Sequence, residues 1–182
     1  MLSFIDKHRD NDYRFYTFNN MYLSGLQKGL QTAHVVAEMA NRINNVFDIA
    51  DAKNEFGGLH VHDNANELQI IGSYNVWKTQ HKTIIMLDGG NSAALENIHQ
   101  VFNKFIIEDD VPLALTYFHE SEDVLNCALT CVGIILPKCI YEYAAYLREG
   151  KDLTPLSFTL DKDMSQNEKD FFKIINSCLL SI

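Results

Sequence analysis

The chain has 182 residues, 47% hydrophobic and 21% charged, with 9 Gly and 3 Pro, which fits one ordered domain with a buried core and excludes a disordered chain. Its 15 basic and 24 acidic residues leave a net charge of −9. A phosphate-binding surface needs clustered cations, so nucleic acid is disfavoured as a partner. No apolar run reaches the ~20 residues of a membrane span, and the N-terminus (Met-Leu-Ser-Phe-Ile-Asp-Lys-His-Arg-Asp) is too polar for a signal peptide. A cytoplasmic protein with no membrane contact is expected.

Residues 1–12 are polar and read as a loose terminus. A first strand covers Arg14 to Leu23, with Phe15 on the face opposite to Phe18 and Tyr22. Ser24 and Gln27 form a capping box that opens a helix running to about Asn45. Leu26, Leu30, Ala33, Ala37 and Ala40 recur on it at helical spacing. Asp51 to Asn64 is turn-rich. A second helix is expected from Asn64 to about Trp77, with Glu67 as capping partner, and then a short buried strand from Thr83 to Leu87. The turn Asp88-Gly-Gly-Asn-Ser92 leads into a helix from Ala93 to Phe105 that buries Leu95, Ile98, Val101, Phe102 and Phe105. Strands follow at Leu113–Phe118 and Ala128–Leu136, separated by a polar hairpin-like segment from His119 to Asn126. Pro137 opens a helix to about Arg148 with Ile140, Tyr143, Ala144 and Leu147 on one face. Thr154 to Leu160 reads as a fifth strand or an extended link. Ser165 and Glu168 cap a last helix rich in Phe and Ile, ending at Leu179 and Leu180. The order is βααβαββα, an α/β fold with a mixed four-stranded sheet flanked by helices and an extra C-terminal helical segment.

That order resembles the peptidyl-tRNA hydrolase type 2 family. The family's Lys-Gly-Lys-x-Ala-Ala-Gln-x-Ala-His helix start is matched by Gln27-Lys-Gly-Leu-Gln31-Thr-Ala-His34, in which the Gln and His are kept. Trp77 ahead of Lys82-Thr-Ile-Ile-Met-Leu87 looks like the family's Trp before its central strand. Pro112–Phe118 and Ala128–Pro137 look like its last two strands. The resemblance spans roughly Arg14 to Leu147, with residues 148–182 as an addition, and implies the family's fold. The family's functional lysine falls on Gln27 or, displaced by one, on Lys28. Its Asp-Ala-Gly-Arg-Thr-Gln segment falls on His119-Glu-Ser-Glu-Asp-Val124, where Glu120 or Asp123 would supply the carboxylate and no Gly, Arg or Thr is present.

The candidate site follows from both readings. Gln27, Gln31, His34 and Glu38 fall within about 40° of one another on a helical wheel and make one polar stripe. In that stripe His34 would serve as acid or base beside Glu38, with Gln31 holding a carbonyl or amide; otherwise the stripe is a solvated face. The resemblance adds Lys28, Glu120 and Asp123 as catalytic candidates and His119 as a ligand-binding one. His60, His62 and Asp63 make too few ligands for a metal site, and no metal or other cofactor is expected. Asp88-Gly-Gly-Asn-Ser92 reads as an ordinary cap by Asn91 or Ser92. Cys127, Cys131, Cys139 and Cys178 lack CxxC spacing and read as free thiols, with Cys127 and Cys131 packed on one strand face. The expected function is a binding or accessory module for a protein partner, a small ligand or a second copy of the chain, the last helix either offering a docking surface or simply capping the core. The alternative is a divergent hydrolase of peptidyl-tRNA or a related ester or amide.

Overall fold

The computed structural model describes residues 12–55, 65–149 and 164–178. Four strands, β1 (Tyr13–Asn20), β2 (Ile84–Gly90), β3 (Ala114–His119) and β4 (Leu129–Pro137), form one mixed sheet in the order β2-β1-β4-β3. β1 runs parallel to β2 and antiparallel to β4, which also pairs antiparallel with β3. β4 is buried along its whole length, as a central strand covered on both faces must be. The helices are α1 (Gly25–Glu55), α2 (Ala65–Val76), α3 (Ser92–Glu108), the short α4 (Glu122–Leu125), α5 (Lys138–Glu149) and α6 (Gln166–Ser177). This is the α/β architecture expected from the sequence.

The two sheet faces carry separate cores because strand residues alternate sides. Phe15, Cys131 and Ile135 meet α1 and α2 through Val35, Met39, Ile43, Ile71 and Trp77. Tyr16, Phe18, Val132 and Ile134 meet α3, α5 and α6 through Leu95, Phe102, Phe105, Ile140 and Phe171. Phe15 and Phe18 thus lie on opposite faces as expected. Tyr22 has left the strand and stands in the following turn, 77% exposed.

Several boundaries move. β1 stops at Asn20, and residues 21–23 make a turn latched to the β2–α3 turn by Met21 N–H donating to Gly90 O at 2.8 Å. The capping box forms as expected, with Ser24 N donating to Gln27 Oε1 at 2.9 Å and Gln27 N donating to Ser24 Oγ at 3.4 Å. α1 then continues to Glu55, ten residues past its expected end, so residues 51–55 are helical rather than turn. α2 closes in a π-turn, Trp77–His81. The Trp77 indole donates to Thr83 O at 2.8 Å. Asn91 caps α3, its Oδ1 accepting from Ala94 N at 2.9 Å, and the segment between β3 and β4 holds α4.

Of the two expectations for α6, the structure shows the cap on the core and not a free apolar surface. Phe171, Phe172 and Ile175 are buried in the core shared with α3 and α5, and Asn167 ties it to Asp109 at the end of α3 at 2.7 Å. Residues 1–11, the tract 56–64 with His60, His62 and Asp63, the Thr154–Leu160 segment, and Leu179 and Leu180 lie outside the described residues.

Candidate functional site at the strand ends

The site is built where the α1 face of the sheet turns from apolar to polar. Along β1 that face reads Tyr13, Phe15, Thr17, Asn19, and its last two members are fully buried. The pairing registers align Asp88 with Asn19, Asn19 with Cys131, and Cys131 with Phe118. One row therefore crosses all four strands, and paired residues share a face. The first turns of α1 lie over this row, and Lys28, Thr32 and His34 each meet a member of it.

Lys28 is 5% exposed and its Nζ lies 2.6 Å from Asp88 Oδ1. The Asp88 side chain is 40% exposed, so the pair runs from the interior to the surface. Thr32 closes a ring of buried hydrogen bonds with β1. Asn19 Nδ2 donates to Thr17 Oγ1 at 3.2 Å, the Thr17 and Thr32 hydroxyls are 3.1 Å apart, and Thr32 Oγ1 donates to Asn19 Oδ1 at 3.4 Å. With the Thr17 hydroxyl donating to Thr32, both hydroxyl protons and one Asn19 amide proton find acceptors within the ring. His34 is half-buried and stacks on Phe118, its ring centroid 4.5 Å away and the planes 9° apart.

Gln31 is fixed at both ends of its amide. Thr130 Oγ1 donates to Gln31 Oε1 at 2.9 Å, and Gln31 Nε2 donates to Glu120 Oε1. Gln31 is itself 4% exposed, while Glu120 is half-buried. Glu120 is therefore held by an amide that cannot turn without breaking its bond to Thr130.

The structure thus brings together Lys28, Gln31, His34 and Glu120 from the expected set. It leaves out Gln27, spent in the exposed capping box, and the exposed Glu38 and Asp123, the latter in the first turn of α4. His119 faces away, its Nδ1 2.8 Å from Cys127 O and its ring edge-on to Tyr117. Asp88, Thr130, Thr32, Thr17 and Asn19 were not among the expected site residues. Asp88 lies 60 positions from Lys28 and joins it only through the parallel pairing of β1 with β2.

Cys131, in the row under α1, offers no nucleophile. Burial pushes the Cys131 thiol well above its usual range, only partly offset by a hydrogen bond with Thr32. Cys127, expected in the core, is exposed and has a positive φ of 58° ahead of β4. β4 begins two residues later, so the strand alternation never reaches it. Among the described residues no group of His, Cys, Asp and Glu is arranged to hold a metal, and no helix is long and apolar enough to cross a membrane.

A concavity lies further along α1. It is an apolar cleft of about 100 Å³ between Met39, Ile43, Ile70, Ile71 and Leu113, with Arg42 on its wall donating to Leu115 O at 2.7 Å. The carboxylates, amide and ammonium of the strand-end cluster are not part of it. No protein-family description, curated protein or solved structure matches the chain.

Proposed function

We propose that this chain is a binding or accessory module on a peptidyl-tRNA hydrolase 2-like fold, with its ligand site at the strand ends around Lys28, Gln31, Asp88 and Glu120. One observation carries the reading: the polar groups at this site hold one another. Lys28 is paired with Asp88, both ends of the Gln31 amide are engaged, and His34 lies flat on Phe118. A rigid frame of this kind presents two partly exposed carboxylates in fixed positions, which suits recognition of a cationic or hydrogen-bond-donating group. Open α/β sheets take ligands at the carboxyl ends of their parallel strands, and Asp88 stands at the end of β2.

A divergent hydrolase is the second reading, and one observation favours it. Glu120 converges on Gln31, three residues along the same helix from the buried Lys28. Glu120 would act on a water and Lys28 would stabilise the charge that develops on the carbonyl oxygen. Release of a labelled amino acid from an N-blocked aminoacyl-tRNA at low salt decides between the two. The expected result is no release above the enzyme-free background. Release that collapses in Glu120→Gln, Lys28→Ala or His34→Ala, with each variant still folded by circular dichroism, would establish the hydrolase instead.

A further inference from the structure

The first four residues of the Leu/Ala stripe on α1 face solvent, and only Ala40, further along, packs against the core. Leu26 is 87% exposed and Leu30 56%; Ala33 and Ala37, one and two turns on, are exposed as well. The turn before the helix adds Tyr22 at 77% and Met21 at 52%. The latch to Gly90 and the bond from Tyr22 N to Asn20 Oδ1 at 3.0 Å fix the backbone that presents these two side chains. Scattered exposed leucines need no explanation, but a continuous apolar strip of four helical positions and two turn residues does. It carries no charge from Met21 to Ala37 along its own line, and a Cβ built on Gly25 or Gly29 would meet nothing within 4 Å. Another backbone can therefore approach closely here.

We infer that this outer face of α1, with Met21 and Tyr22, is a docking surface for a basic amphipathic segment of a partner protein. The apolar side of such a segment would lie along Tyr22, Leu26 and Leu30, in the manner of a helix laid on a hydrophobic strip. Charge sets its polar side. Acidic residues outnumber basic ones 24 to 15 in the chain, and Glu38 stands exposed on α1 next to Ala37. The chain as a whole is at −9, so two copies repel each other while a cationic segment is attracted. The inference rests on the binding reading above and gives it a partner. It uses a different surface from the carboxylate frame, so it fails separately from the aminoacyl-tRNA assay.

The test is a titration of the full chain with two fluorescent amphipathic peptides of about five helical turns, one built from Leu and Lys and the other from Leu and Glu. Wild type should bind the Leu/Lys peptide, more weakly as salt rises, and ignore the Leu/Glu one. Leu26→Gln/Leu30→Gln should weaken that binding about tenfold or more without changing thermal stability, because both side chains already face water. Equal binding of both peptides, binding unmoved by the double variant, or no binding would overturn the inference. So would sedimentation of the chain alone as a dimer that the double variant dissociates, which would make a second copy the occupant.

Discussion

Lys28 leaves the first turn of α1 with its ammonium 2.6 Å from Asp88 and nearly all of its side chain out of water. The two partners are unequally buried, which gives the pair an asymmetry that mutation can read. Losing the lysine leaves a carboxylate that is 40% exposed and can recover water; losing the aspartate leaves a charge that water reaches poorly. Lys28→Met should therefore cost about 1–2 kcal/mol and Asp88→Ala about 2–4 kcal/mol, compared by urea denaturation. Equal losses would sink the asymmetry. Tyr16 makes the opposite case. Its ring is fully buried and stacked on Tyr141, yet its hydroxyl finds no hydrogen-bond partner among the described residues. Burial accordingly drives its phenol far above the ordinary value. Removing an unpaired buried hydroxyl relieves a desolvation cost, so Tyr16→Phe should be neutral or stabilise by up to about 1 kcal/mol. A clear loss in the same denaturation experiment would show that the hydroxyl is satisfied.

At the scale of elements, the seat of α1 on the sheet decides what the site can be. Gly133 makes that seat, since a Cβ there would stand 2.2 Å from Val35 Cγ1 and 2.7 Å from Phe15 Cε1. Gly133→Ala forces the helix away from β4, with an expected loss of about 1–3 kcal/mol. Adding Val35→Ala should restore part of it, because the methyl that clashes is then gone. A double variant less stable than both singles would place the strain elsewhere. The same seat explains why Leu26 and Leu30 face outward. Helical periodicity shows two stripes on α1, one of Leu and Ala and one holding Lys28, Gln31, Thr32, Val35 and Met39, but not which one the sheet takes. The sheet takes the second, whose polar members find partners at the strand ends: Thr32 with Thr17 and Asn19, Lys28 with Asp88, and Gln31 with Thr130. α3 follows local rules instead: Asn91→Ala should cost about 1 kcal/mol by removing the cap to Ala94, read from the thermal midpoint.

For the whole molecule, pH acts through His99, which packs edge-on to Tyr117 at 4.6 Å. Burial lowers its pKa below 6.5; Glu96 opposes this, and His119 and Arg42 reinforce it. The unfolded chain then binds more protons than the folded one as pH falls below about 6.5. The stability contribution is complete above that pH and is lost as pH drops toward the folded value. His99→Gln should flatten the part of the thermal midpoint's decline that begins near pH 6.5, and an unchanged decline would exclude His99 as its source. The same division between local and distant effects governs what could be read from the chain. The capping box at Ser24, the Ser165 and Asn91 caps, the buried strands around Phe15 and Val132 and the α/β order all depend on neighbours within a few residues, so the sequence by itself determined them. It also marked Gln31, His34, Lys28 and Glu120. What joins Lys28 to Asp88, Gln31 to Thr130 and His34 to Phe118 is strand register, a choice among pairings of segments 60 to 99 residues apart. Only the tertiary structure decided that register, and with it which face of α1 is buried, because each pairing becomes favourable only once the whole sheet is in place and its ends have lost their water.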